Sequence, residues 1–534
     1  EYGRGQGGIV VLESRPGRLD HWRVGAELSM IDASLQADGP SGDSGSWSFG
    51  LRRSLIDAVL PLVDDTELTA APRYYDGQIR YNTGLWSGAR LSALAFGADD
   101  QIGLIYGERE DKFFGYETRF SRVGLTLTQE WQESRLTVTP WFGIDDYSLA
   151  STFQRIKSSK RLGGVRAHLN RDIKLGYVRA GVDVTGGQFE VASETDGDTE
   201  TTAIAAEGDY RNSAAWLETS LRFADGRLNL KPGLRVEHYG QPNSIAVDPR
   251  LVVTHELSKG LSLKESVGVF HQPPAVADAL WGNEDLESSY SVQTTVGGEK
   301  DFADGKSIAL TGFYSRLYNL AVDDPTASNE ALEKFRESKI GALESSREFT
   351  AKQVGTFSIL ENSGDGYNLG AELMARHVGQ RGFAWVAYTA SLARRRDRPT
   401  ESSKRYVLDQ PHVLTLVASW VLGSSYQVGA RLRYASGNPI TPVLGGTPIS
   451  GDDFDPVYGE PLSERLPAFF QADIRVDKVW RRDWGTVNLF LDLQNLTRRQ
   501  NIEGRIYEDD FSSYRTTKGL PLFPSFGLSF APRD

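Results

Sequence analysis

Two arginines spaced two residues apart, Arg431 and Arg433, are the side chains best suited to hold an anion. They alternate with Leu432 and Tyr434 and approach the turn Gly437-Asn438-Pro439. Period 2 places both guanidiniums on one strand face. Paired planar cations of this kind recognise carboxylate or phosphate. His271, Gln272 and Trp281 form a second set, in or beside a long connection, where aromatic and amide groups suit carbohydrate or peptide. Ordinary wall and loop packing is the plainer role for both sets. The acidic residues Asp196, Asp198, Glu200, Asp323, Asp324, Asp452, Asp453 and Asp455 mark solvated loops. The run from Gly451 to Pro456 lacks the full calcium-loop pattern, so no metal site is assigned. No nucleophile, base and orienting group stand in a convincing order, and no catalytic residue is assigned. The glycine-rich start, Gly3 to Gly8, is not closed by a Gly-Lys-Ser/Thr and precedes no helix, so it is not a nucleotide loop. No cofactor is expected.

Composition narrows the function further. The 534 residues carry a formal net charge of −12, which argues against a general nucleic-acid surface. There are no cysteines and only seven histidines, which removes disulfides, thiolate metal sites and cysteine nucleophiles. Glycine (55) and aromatic residues (11 Trp, 21 Tyr, 24 Phe) are abundant. Mean hydropathy is −0.38, and no apolar run reaches the roughly 20 residues of a membrane helix. These features fit a many-stranded barrel with polar loops.

The elements that must position these side chains are strands. Phe470 to Asp477 alternates strictly, and so does Val487 to Gln494 after the turn at Asp483-Trp484-Gly485. Phe526, Leu528 and Phe530 share one face of a last strand. The opposite face of this region carries Asp473, Arg475, Asp477 and Asp492, too much charge for a dry core. Apolar outside and wet inside is the pattern of a transmembrane barrel. Similar pairs recur along the chain, joined by tight turns such as 170–172, 224–226, 258–260, 303–305, 379–381 and 423–424. Long connections fall between them, near 57–73, 98–117, 187–208, 271–287, 319–364, 396–410, 437–466 and 497–522. Short turns at one end and long loops at the other are expected of an antiparallel membrane barrel of about 22 strands. Residues 21–37 supply the first strand pair. Leu489, Leu491 and Leu493 face lipid. Trp480, Trp484, Tyr426 and Tyr434 are candidates for the interfacial girdles. Within segment 319–364, Ala331 to Lys339 has helical character.

An ordered set of short motifs carries a resemblance. Glu1 to Ser14 combines Tyr-Gly-Arg, Gly-Gly and a short apolar strand. Gln272-Pro273-Pro274 and Gly282-Asn283-Glu284-Asp285-Leu286 follow, then Leu408-Asp409-Gln410-Pro411-His412 and Ser436-Gly437-Asn438-Pro439. Arg465-Leu466-Pro467, Asp492-Leu493-Gln494-Asn495-Leu496 and Gly519-Leu520-Pro521 complete the series. The chain resembles the TonB-dependent outer membrane receptor family, although Glu284 stands where the family usually has proline. The resemblance implies that residues 1–20 are the end of a plug domain and its link, and that 21–534 form the barrel. It implies residence in the bacterial outer membrane with loops at the cell surface. Active import of a scarce ligand is implied too, of the siderophore, cobalamin, oligosaccharide or peptide class. The implied partners are the plug, outer-membrane lipid and a TonB-type inner-membrane energising complex, with most of the plug and the TonB box outside this chain. Two other readings stand beside import: a scaffold or export component for a protein partner at the loops or lumen, and a passive porin narrowed by an infolded loop.

Overall fold

The computed structural model describes residues 2–533 apart from 64–68, 71, 107–111, 152–153, 197–200, 276–285, 325–359 and 451–452. Trp281 and the segment Ala331 to Lys339 lie outside the described residues. In chain order the wall begins with β1 (Arg23–Ser29), β2 (Asp32–Ser41), β3 (Gly45–Ser54), β4 (Arg73–Gly84), β5 (Ala89–Tyr106) and β6 (Lys112–Glu130). It continues with β7 (Ser134–Ser151), β8 (Gln154–Ile173), β9 (Gly176–Asp196), β10 (Thr201–Phe223), β11 (Leu228–Tyr239) and β12 (Ser244–Ser258). Next come β13 (Leu261–Gln272), β14 (Ser289–Asp301), β15 (Lys306–Asp323), β16 (Leu360–Gly379) and β17 (Gly382–Arg396). The last are β18 (His412–Leu422), β19 (Tyr426–Ala435), β20 (Phe469–Arg482), β21 (Gly485–Gln494) and β22 (Phe523–Pro532). One short helix, α1 (Ile56–Val63), sits between β3 and β4.

Each strand pairs antiparallel with the next, and the circle closes where β22 meets β1, with Ala26 opposite Phe530 and Leu28 opposite Leu528. The result is a closed 22-strand barrel. Closure satisfies every ladder and removes the edges an open sheet would present to lipid. Outward rows are apolar and exposed, as at Val123 (52%), Val182 (48%) and Leu491 (44%). Inward rows are polar, and several of their charges are buried, among them Arg235, Glu237, Asp248 and Asp473. Pro140 behaves as its missing donor requires: the β6–β7 ladder pairs Gly124 with Trp141 and resumes only at Leu127 with Val138.

The tight turns gather at one end, and β10 and β19 show how unequal the other end is. β10 has 23 residues and β19 has 10. At about 3.3 Å per residue these are about 75 Å and 33 Å of strand. The expected loops 98–117 and 187–208 are in fact mostly strand. β5 runs to Tyr106 and β6 starts at Lys112; β9 runs to Asp196 and β10 starts at Thr201. The reason lies in the outward rows. On β6 the row changes from Leu127, Leu125 and Val123 to Ser121, Arg119 and Glu117; on β8 it changes from Leu169 and Val165 to Arg161, Ser159 and Lys157. Where both faces are wet, alternation disappears although the ladder continues. Two joins on the loop side, at 30–31 and 240–243, are short, exceptions to the expectation that long loops gather at that end. The loops over β19–β21 carry small hairpins of their own, Val443–Ser450 with Asp453–Tyr458 and Ile502–Tyr507 with Tyr514–Lys518.

Candidate functional site

The first twenty residues cross the barrel interior rather than lying outside it. Tyr2 stacks under the Arg166 guanidinium at 4.6 Å, and its carbonyl accepts from Arg250 Nη1 at 2.5 Å. Arg4 donates to Glu237 and to Thr185 Oγ1 at 2.7 Å, with Asp183 at 3.6 Å. Gln6 donates to Ser289 Oγ at 2.9 Å, and its carbonyl accepts from Gln293 at 2.6 Å. These partners belong to inward rows of β8, β9, β11, β12 and β14. Further along, the Ser14 carbonyl and hydroxyl meet Arg80, Arg15 O accepts from Ser48, and Arg18 N–H donates to Asp38, which are inward residues of β4, β3 and β2. The segment therefore straps one wall to the other. Between its anchors Val10 and Leu12 stand 84% and 90% exposed.

Glu237 and Arg235 form the hub of the first anchor. Both are nearly fully buried, their side chains meet at 2.8 Å, and Asp183 lies 3.7 Å from Arg235. Burial on this scale is tolerable only because each charge has a counter-charge. The sequence marks Arg235 and Glu237 as inward residues, but not their partner Arg4, because a contact across 233 positions leaves no local signal.

Above the strap, the tall part of β5–β8 encloses an inward-facing cavity of about 540 Å³. Phe96 and Phe120 meet edge to face at 6.1 Å, and Tyr147 packs on Tyr116 at 5.3 Å. Arg122 lies over the Phe120 ring at 5.8 Å and is held by Asp145 at 2.6 Å; Lys160 completes the wall. Aromatic faces beside cations suit a flat or anionic small molecule. None of these residues was singled out as a ligand contact from sequence. Period 2 past the lipid boundary would have found them, had the strands been recognised there. Among the described residues no group of His, Cys, Asp and Glu is arranged to hold a metal ion.

A family model for the TonB dependent receptor-like β-barrel matches residues 33–496. The chain belongs to that family. Among solved structures, the barrel is similar to the ferric-catecholate import receptor Fiu from K12 E. coli, at 12% identity and a TM-score of 0.71, covering 97% of this chain and 82% of that one. It is also similar to the copper transporter OprC, at 13% identity and a TM-score of 0.70, covering 98% and 81%. A third is the ferric preacinetobactin receptor BauA from Acinetobacter baumannii, at 10% identity and a TM-score of 0.67, covering 97% and 81%. At such identities the likeness is one of fold. No curated protein sequence matches the chain. The barrel is thus an outer-membrane receptor barrel with its loops at the cell surface.

Within this receptor barrel, the two arginines singled out first have different fates. Arg431 is committed to Asp473, with Nε at 2.7 Å and Nη2 at 2.6 Å. Asp473 also accepts from Gln471 and from the Asn495 N–H, both at 2.8 Å, so this is a cross-link of β19, β20 and the loop after β21. Arg433 lies over the Phe469 ring at 5.4 Å, beside the surface loops. His271 bonds Asp248 through Nδ1 at 2.6 Å and stacks on Tyr290, which stacks on Tyr318 at 4.9 Å. Asp248 in turn holds Arg250 at 3.3 Å, and Arg250 holds Tyr2. Gln272 is exposed at the end of β13. The structure brings His271 to the strap's anchor and leaves Arg431 and Arg433 on the far wall, so these residues do not form one site.

Proposed function

We propose that this barrel is the pore of a TonB-dependent importer. A scarce small ligand is captured against the tall wall of β5–β8 and passes a plug whose last residues are the strap 1–20. The observation that carries the reading is the strap itself, ion-paired to inward rows at its first anchor and hydrogen-bonded to them at its second. Its bare apolar run at Ile9 to Leu12 is the kind of edge that a preceding domain inside the lumen would cover. The cavity chemistry favours cargo with a planar or anionic group of the siderophore class over a neutral oligosaccharide. Within this reading the energising complex acts on the plug upstream of residue 1, and the barrel wall supplies the cage.

The test uses the full-length gene product in outer membranes. Accumulation of a ferric siderophore should require the inner-membrane energising complex, and planar bilayers carrying the protein should show no steady conductance. Uptake that persists without the complex, or constant open-channel current, would refute the importer.

A further inference from the structure

Lipid meets an apolar surface around most of the lower barrel, and on β13 that surface is broken by a carboxylate. Glu265 lies on the outward row between Val253 of β12 and Val296 of β14, with Leu263 and Val267 on either side of it along its own strand. It is exposed, and among the described residues it has neither an ion pair nor a hydrogen bond. It stands four residues on from Leu261 at the tight-turn end, about 13 Å of strand and about 9 Å of height at the tilt of such barrels. At that depth a charge without a partner is unfavourable. The surface beside it is shallow. Gly298 and Gly312, on the outward rows of β14 and β15, flank Val296. A Cβ at either would come no nearer than 3.9 Å to a neighbour, an ordinary contact, so the barrel itself does not require glycine there. Small residues on a membrane face let a second wall approach closely. The complement of this face stands on β20. Lys478 is outward and four residues before Arg482 at the tight-turn end, hence at the same depth as Glu265. Its ammonium lies 3.8 Å from the centre of the Tyr426 ring and 5.9 Å from that of Trp480, and among the described residues no carboxylate pairs with it. Tyr426, Val476 and Trp484 stand exposed around it. One face is thus a cationic aromatic knob and the other a shallow acidic seat, on different sides of one barrel.

We propose that a second copy of this chain docks on the β13–β15 face, so that Glu265 of one barrel pairs with Lys478 of the next in the membrane plane. Charge, depth and relief all match, and each charge gains a partner where water is scarce. No chain can bring its own two faces together, because β13 and β20 lie far apart around the wall. Each barrel carries both faces, so the contact is head to tail and continues into a chain or ring instead of ending at a dimer. It does not depend on what the barrel transports.

The test is disulfide cross-linking of the full-length receptor in outer membranes, with copper phenanthroline as oxidant. The chain has no cysteine of its own. Val296→Cys and Val476→Cys place thiols on exposed outward positions beside the two charges and leave the charges in place. Chains carrying both should give a ladder of linked multimers. Membranes co-expressing the two single variants should stop at a dimer, and neither single variant alone should link. Val182→Cys, outward on β9, should not link to Val476→Cys. Adding Glu265→Gln should slow linkage about tenfold, and Glu265→Lys should slow it further, whereas Glu265→Lys with Lys478→Glu should restore it. Heat-modifiable migration in gels reports that each variant is a folded barrel. Folded barrels that give no ladder overturn the proposal. So does a dimer from Val296→Cys alone, since the face then meets itself, and so does linkage that the charge variants leave unchanged, since crowding alone then brings the barrels together.

Discussion

Replacing Glu237 with glutamine removes the carboxylate that holds the strap. In the wild type, Arg4 and Arg235 both donate to it, in a setting where Glu237 and Arg235 are 2% and 3% exposed. Glutamine keeps one acceptor oxygen and the shape but not the charge. Two guanidiniums then share Asp183, at 3.6 and 3.7 Å. A hydrogen bond to a charged group contributes about 1.5–3 kcal/mol, and breaking a buried pair costs about 3–5 kcal/mol. Arg4 can swing into the hydrated lumen, so a value near 3 kcal/mol is expected, which shifts the docked strap toward release by about 100-fold. The barrel itself should stay intact, because its ladders do not depend on this carboxylate. Hydrogen exchange read by mass spectrometry separates the two. Amides of residues 2–8 should lose about two decades of protection in Glu237→Gln, while those of β9–β11 should be unchanged. Arg4→Gln should reproduce the strap effect. Unchanged protection of residues 2–8 refutes the anchor, and loss across β9–β11 shows that the cluster holds the wall rather than the strap.

Three further outcomes follow from the same geometry. At Gly17 a Cβ would run into the Trp47 carbonyl, which is backbone and cannot turn aside, so Gly17→Ala should expose residues 14–18 to trypsin at Arg18 while the barrel resists. Phe120→Ala/Lys160→Ala should weaken ligand capture by about tenfold in a cell-surface binding assay, with barrel thermal stability unchanged. Asp473→Asn should lower barrel stability by about 1–3 kcal/mol in urea titration, since it strips Arg431 of its partner, whereas Arg433→Gln should leave stability within about 0.5 kcal/mol of wild type.

Much of the barrel was legible because lipid writes period 2 into the chain. Leu489, Leu491 and Leu493 point out and Asp473, Asp477 and Asp492 point in, as their alternation required, and the closing pair of Phe530 with Ala26 follows from an even number of strands. The signal fails where lipid ends. Glu117, Arg119, Lys157 and Glu190 are strand residues with water on both sides, so the ladder above the membrane read as loop. Sites were less legible than walls. Arg431 was read as a candidate anion contact, and its pairing with Asp473 on the next strand is a contact that the spacing along its own strand does not record. His271 was placed correctly at the rim of a long connection, but its bond to Asp248 joins it to the strap through a contact that local spacing does not record.

The unequal height of the wall has a thermodynamic consequence for capture. On the side of β5–β10 the surface above the membrane is a continuous hydrogen-bonded ladder, so Phe120, Arg122 and Tyr147 already stand in their places before any cargo arrives. A ligand landing there orders little backbone and side chain that was not ordered already, and the entropy lost in binding falls mainly on the ligand itself. On the proposed importer reading, the wall of β5–β8 is the half of the cup that is ordered before cargo arrives.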